Sequence, residues 1–90
     1  MDENLNTAVL TTKNIFFKNV LISYVFHHME DCMWEFREDR KVPEDSDFLV
    51  VSLEEIIDKD PSVKDILSLP LGFVAYRINI SKEWSISKIV

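Results

Sequence analysis

The stretch Asp60–Arg77, DPSVKDILSLPLGFVAYR, decides the fold of this chain. Asp60 followed by Pro61 is typical of a helix start, because an Asp side chain caps free N–H groups and proline in the first turn loses no needed donor. Pro70 predicts the end of that helical segment, since a proline forces the residue before it out of the helical region. Gly72, the only glycine of the chain, then predicts a chain reversal into a strand.

A capping box lies just before this stretch. In Ser52-Leu53-Glu54-Glu55 the Ser52 hydroxyl can accept from the Glu55 N–H while the Glu55 carboxylate reaches back to the Ser52 N–H. The pattern predicts a helix over Leu53–Lys59. The apolar run Phe48–Val51, directly before it, predicts a short buried strand.

A β-hairpin is predicted in the first half of the chain. Val20–His28 is β-branched and aromatic without a breaker, which favours a strand with two largely apolar faces. Met29–Cys32 is the expected turn, and Met33–Glu38 the returning strand, half-buried because apolar and charged residues alternate in it. Trp34 is expected in the core, since a domain this small needs its large aromatic side chains there.

The other segments complete an α+β prediction. Thr12 can cap a short helical turn, although the sequence there is also compatible with a strand. Two further strands are predicted, over Leu71–Ile80 and Trp84–Val90. We therefore expect residues 1–90 to form a single small domain with a mostly antiparallel sheet, a β-hairpin and one helical layer. Residues 1–6 are polar and are expected to be a flexible terminus.

Charge and composition exclude several classes of function. The formal net charge is −6 and the isoelectric point is near 4.7, which is the wrong sign for a nucleic-acid binder or for an anionic membrane surface. No apolar run approaches the ~20 residues that span a bilayer, and the N-terminal residues lack a signal-peptide pattern. Cys32 is the only cysteine, so we expect a cytoplasmic protein without a disulfide framework.

Few residues suggest catalysis or metal binding. His27–Cys32 is the densest cluster of potential metal ligands, and a turn could bring His28, Asp31 and Cys32 together, but no second ligand pair has metal-binding spacing. The carboxylates of Glu30 and Asp31 beside Cys32 disfavour a negatively charged thiolate, which argues against a nucleophilic cysteine. We therefore predict a protein that is not an enzyme and that has no metal or cofactor, and a metal or thiol site here is the least favoured hypothesis.

An acidic loop and one tryptophan are the predicted partner-binding residues. Glu44, Asp45 and Asp47 lie in one charged loop, whose carboxylates suit a basic protein partner. Trp84 follows a polar stretch and is expected to be partly exposed. Arg77 ends a buried-looking strand, so we expect it to pair with an acidic side chain or a backbone carbonyl and to serve the fold.

Four pieces of sequence, read in order, carry a family resemblance: Thr11-Thr12-Lys13; Tyr24–His27 with Trp34–Phe36; Val51–Ile56; and Asp60–Val63 through Leu69–Gly72 to Ala75–Arg77 and Trp84. From about Thr11 to Trp84 the chain resembles a family of small bacterial domains of unknown function that are grouped with immunity proteins of polymorphic toxin systems. The resemblance implies an α+β fold and a role in binding and neutralising a toxin. It supplies no catalytic residues.

Two functional hypotheses follow from the sequence. The first is a non-enzymatic binding domain, an immunity-type protein that neutralises a basic toxin domain by direct binding. The alternative is a small structural or regulatory module that acts as a homodimer, because two apolar faces on Val20–His28 would leave surplus hydrophobic surface in so small a protein.

Overall fold

A six-stranded mixed sheet is the centre of the structure, a computed structural model that describes residues 4–80 and 83–89. Its strands are β1 (Ala8–Thr12), β2 (Tyr24–His27), β3 (Trp34–Arg37), β4 (Phe48–Ser52), β5 (Phe73–Tyr76) and β6 (Ser85–Lys88). They lie in the order β4-β1-β3-β2-β5-β6. The β1–β3 pair is parallel, and the other four neighbouring pairs are antiparallel, including the predicted hairpin of β2 and β3.

Each of the two short α-helices begins directly where a strand ends. Helix α1 (Lys13–Lys18) follows β1, and the Thr12 hydroxyl accepts a hydrogen bond from the Ile15 N–H. Helix α2 (Leu53–Lys59) follows β4 and has the bounds predicted from its capping box, whose two reciprocal bonds between Ser52 and Glu55 are both present. Both cap predictions are therefore confirmed.

The helices cover one face of the sheet and enclose the core. Trp34 is 1% exposed, as predicted, and Phe36 lies beside it on the same face. The strand side chains meet buried residues of the helical segments, namely Ile15, Leu53, Ile56, Val63 and Ile66. The described residues thus form an α+β domain with one helical layer, which confirms the predicted fold class.

The helix predicted after Asp60 is present in a tighter form. The Asp60 side chain accepts from the Ser62 N–H, as expected of a cap, but Pro61–Ile66 is a 3₁₀ helix. The chain then passes Pro70 and reverses at Gly72, whose φ of +84° is a left-handed conformation that favours glycine.

Four predicted strands are too long, and one of them, the returning hairpin strand predicted as Met33–Glu38, is limited to Trp34–Arg37. The first begins at Tyr24 instead of Val20 and ends at His27, although the Arg77 N–H still donates to the Ser23 carbonyl in register with the β2–β5 pair. Ile22 and Val25 are both buried, although strict alternation would place them on opposite faces.

The predicted strand over Leu71–Ile80 is limited to Phe73–Tyr76, because Gly72 is still part of the reversal. The predicted strand over Trp84–Val90 is limited to Ser85–Lys88, and Val90 lies outside the described residues.

The N-terminal segment is only partly described. Residues 1–3 of the expected flexible terminus lie outside the described residues. Asn4 begins a turn in which its carbonyl accepts from the Thr7 N–H at 2.9 Å, and the Leu5 carbonyl accepts from the Glu54 N–H at 3.0 Å. None of the helices in residues 4–80 and 83–89 has the length and apolar character needed to cross a membrane.

Candidate functional site

An acidic groove lies between the start of α1 and the connection from β3 to β4. It encloses about 180 Å³. The residues that line it come from both elements: Thr12, Asn14, Glu38, Asp39, Lys41, Val42, Pro43, Glu44 and Asp47. The groove therefore contains two of the three carboxylates predicted from the loop, and it adds two that the sequence reasoning missed.

Glu38 is fixed at the wall of this acidic groove. Its carboxylate accepts from the Thr12 hydroxyl and from the Asn14 side-chain amide, both at 2.8 Å. Burial raises the pKa of the Glu38 carboxyl, but these hydrogen bonds outweigh it and hold the pKa below its usual value. The groove thus has a permanent negative charge at neutral pH, held in one orientation.

Two of the predicted loop carboxylates, Glu44 and Asp47, line the acidic groove, and Asp45 lies between them in the chain. Asp45 and Asp47 belong to a 3₁₀ turn, Asp45–Asp47, that leads directly into β4, and Glu44 precedes it. All three side chains are exposed. Across the described part of the chain, no cation forms an ion pair with any of the three. They are therefore free to meet cations of another molecule.

Trp84 lies far from this acidic groove. It precedes β6, whereas the acidic loop precedes β4, and these two strands are opposite edges of the sheet. Five strand spacings separate them, roughly 24 Å. Trp84 is only half-buried, as expected, but the guanidinium of Arg77 lies 4.0 Å from the centre of its ring. The structure thus brings the loop carboxylates together and leaves Trp84 apart from them.

Arg77 joins three parts of the fold: the end of β5, the segment before β2, and the start of the 3₁₀ helix. Its side chain is 1% exposed and donates to the Ile22 carbonyl at 3.0 Å, to the Ser62 hydroxyl at 2.7 Å and to the Asp60 carboxylate. The prediction that Arg77 pairs with an acidic side chain or a backbone carbonyl is confirmed on both counts. Burial raises the pKa of the Asp60 carboxyl, but bonds from Ser62 and Arg77 and the guanidinium charge hold it below its usual value.

The residues of the metal or thiol hypothesis are not brought together. The His28 imidazole donates to Glu35 at 2.6 Å, while Asp31 accepts from the Met33 N–H at 3.0 Å and so closes the turn. Cys32 is exposed, with a left-handed φ of 62°. Among residues 4–80 and 83–89, no group of three or more His, Cys, Asp or Glu side chains is placed to hold a metal ion.

A buried ion pair lies on the sheet face away from the helices, and it corrects the prediction that β3 is half-buried. Glu35 is 4% and Arg37 8% exposed. The Arg37 guanidinium donates to the Glu35 carboxylate and lies 4.3 Å from the centre of the Phe26 ring. The His28 ring also contacts the Glu35 carboxylate. Both charged side chains are therefore buried, and the alternation of charged and apolar residues in β3 does not show which positions face solvent.

The same contacts set the charge state of Glu35. Burial raises the pKa of the Glu35 carboxyl, but the hydrogen bonds and positive charges of Arg37 and His28 outweigh it and hold the pKa below its usual value. The alternation of Glu35 and Arg37 in the sequence was a signal for such a pair, because residues two apart in a strand share a face.

We expect the free energy of unfolding to fall in acid, below about pH 4. The pKa values of Glu35, Glu38 and Asp60 are lowered in the folded protein. Each carboxyl therefore stabilises the fold above its unfolded pKa, and the contribution is lost as the pH falls through the folded pKa. Urea unfolding between about pH 7 and pH 3 tests this. A free energy that is constant or higher in acid would contradict it.

No protein-family model, curated protein or solved structure matches the chain.

Proposed function

We propose that this protein is a non-enzymatic, cytoplasmic binding domain of the immunity type, which neutralises a toxin by holding a basic surface of it against the acidic groove. The observation that carries the proposal is the set of exposed carboxylates in the loop that borders the groove, Glu44, Asp45 and Asp47, none of which has an ion-pair partner among the described residues. The sequence resemblance to immunity proteins of toxin systems supports the same function.

The electrostatics of the acidic groove favour a basic protein. Residues 38–47 contain five carboxylates and two cations, Arg40 and Lys41. Negative charge gathered on one side of a protein steers a positive partner and raises the rate of association. Because hydrogen bonds already fix Glu38, that charge needs no reorganisation when a partner arrives.

The proposal assigns the partner contact to the loop and not to Trp84. An indole that already lies under the Arg77 guanidinium stabilises the fold, and the width of the sheet separates it from the loop. A single basic patch on a toxin is better matched by carboxylates that share one groove. Trp84 therefore serves to support Arg77 in this account.

We expect neutralising the three loop carboxylates to slow binding to a basic toxin domain, taken from any toxin whose gene neighbours this one. The variant Glu44→Gln, Asp45→Asn, Asp47→Asn should associate roughly tenfold more slowly, because steering by charge contributes about that much or more. The matched control is Glu30→Gln, Asp58→Asn, Asp65→Asn, which removes the same charge from exposed positions outside the groove. Surface plasmon resonance at low and physiological salt measures both.

The two variants separate local from overall charge. A slower rate for the loop variant alone, together with weaker binding of the unmodified protein in salt, agrees with the proposal. Equal slowing of both variants would show that only net charge matters and that the groove is not the contact surface. Binding that neither substitution nor salt affects would contradict the electrostatic account altogether.

A further inference from the structure

We propose, building on the function above, that the outer edge of β4 is a docking site for an extended strand of the toxin, one with Lys or Arg at its ends. Strand β4 is an edge strand, and its sheet partner is β1. An edge strand has unpaired N–H and C=O groups that can bind another strand through backbone hydrogen bonds.

The hydrogen-bond register shows which groups of β4 face outward. The Leu53 N–H donates to the Thr7 carbonyl at 2.9 Å, and Ser52 lies opposite Ala8. This makes Ser52–Ala8 a non-hydrogen-bonded pair. Hydrogen-bonded and non-hydrogen-bonded pairs alternate along an antiparallel ladder. Val50, two residues before Ser52, is therefore also in a non-hydrogen-bonded pair, with Leu10, and its N–H and C=O groups point away from β1.

The free part of the edge is short and is centred on Val50. The Phe48 N–H donates to the Asp45 carbonyl, and the Ser52 N–H donates to the Glu55 carboxylate at 2.9 Å. Within the described residues no backbone bond outside the β1 ladder engages Val50, and its side chain is 65% exposed. A partner strand can therefore exchange a pair of hydrogen bonds with Val50 and pack against its side chain.

The β4 edge lacks the charged and proline residues that often protect an edge strand. Its sequence, FLVVS, contains no charge and no proline, whereas lysine, proline and inward charges are the usual protection against strand pairing. The opposite edge, β6, carries Lys88. An unprotected apolar edge in a small domain is consistent with a surface that is covered when the protein acts.

Charge selects a basic strand as the occupant of the β4 edge. Asp45 and Asp47 precede β4, and Glu54 follows it in the first turn of α2. In a symmetric antiparallel pair of two copies centred on Val50, the Asp45 and Asp47 carboxylates of one copy would lie near Glu54 of the other. Like charges placed opposite each other destabilise strand pairing. A strand of a different protein with Lys or Arg at its ends is complementary at both ends.

Two synthetic peptides of alternating valine and threonine, one flanked by lysines and the other by glutamates, test this proposal. We expect the lysine-flanked peptide to shift the Val50 amide resonance in NMR spectra and to protect that amide from hydrogen exchange. Val50→Pro should weaken binding about tenfold, because it removes the outward N–H without breaking a bond to β1. Val50→Lys is a second variant, which leaves the backbone donor in place but should also weaken binding, because a lysine on an edge strand opposes strand pairing.

The matched control is Ile86→Pro, which changes the edge strand β6 and should leave binding unchanged. Equal binding of both peptides, protection of Ile86 in place of Val50, or self-association that Val50→Pro abolishes would each overturn the docking site. The toxin itself separates the two proposals. If Val50→Pro leaves toxin binding intact while the loop variant loses it, the proposed function stands and the β4 site is wrong.

Discussion

Replacing Arg77 by methionine is expected to cost about 3–5 kcal/mol of the free energy of unfolding. The guanidinium is almost fully buried, and it donates to the Asp60 carboxylate, the Ser62 hydroxyl and the Ile22 carbonyl. Methionine fills much of the volume but leaves the Asp60 carboxylate unpaired, with a side chain only 12% exposed. Breaking a buried pair on one side is strongly destabilising because an uncompensated charge stays behind.

Urea unfolding followed by circular dichroism measures the effect of Arg77→Met. Arg40→Met is the matched control, since Arg40 is exposed, and it should change stability by less than about 0.5 kcal/mol. The double variant with Asp60→Asn should lose less than the sum of the two single losses, because both remove the same interaction. Additive losses of the free energy of unfolding would show that Arg77 and Asp60 do not stabilise the fold through each other.

Replacing Trp34 by alanine is expected to cost about 3–5 kcal/mol. Trp34 is 1% exposed and stacks on the His27 ring, with 3.8 Å between the ring centres. Its removal opens a cavity between the sheet and the helical layer that neighbouring side chains can fill only in part. Since a small domain has a total stability of about 5–15 kcal/mol, this loss brings the protein close to unfolding.

Circular dichroism is again the measurement, because the substitution removes one of only two tryptophans that fluorescence would report. Trp34→Phe should retain the fold at a smaller loss and serves if the alanine variant is unfolded. Phe17→Ala, at a side chain that is 66% exposed, is the control and should cost less than about 1 kcal/mol. A small effect of Trp34→Ala would mean that the core lies elsewhere.

Local signals in the sequence predicted local structure well. The pairing of Ser52 and Glu55, three residues apart, predicted where helix α2 begins, and Asp60-Pro61 predicted where it ends. The hairpin, the burial of Trp34 and the two kinds of Arg77 partner were predicted for similar reasons. Each depends on side-chain chemistry or periodicity that a short segment already contains.

The sequence did not predict which distant segments of the chain lie side by side. Thr12 and Glu38 meet because β1 and β3 are parallel neighbours, and nothing in either segment specifies that arrangement. The predicted strand start at Val20 was wrong, and the hydrogen bond from the Arg77 side chain, far along the chain, to the Ile22 carbonyl could not be predicted from that segment. The sequence therefore predicted the carboxylates of the loop, but only the structure shows that Thr12, Asn14 and Glu38 lie beside that loop and complete the acidic groove.

Co-expression with any toxin whose gene neighbours this one tests the central claim most directly. Cells that produce the toxin should survive when they also produce the unmodified protein or the control with Glu30→Gln, Asp58→Asn and Asp65→Asn. They should lose protection when Glu44, Asp45 and Asp47 are neutralised, provided that variant is folded and equally abundant. No protection by the unmodified protein, or full protection by the loop variant, would contradict toxin neutralisation through the acidic groove.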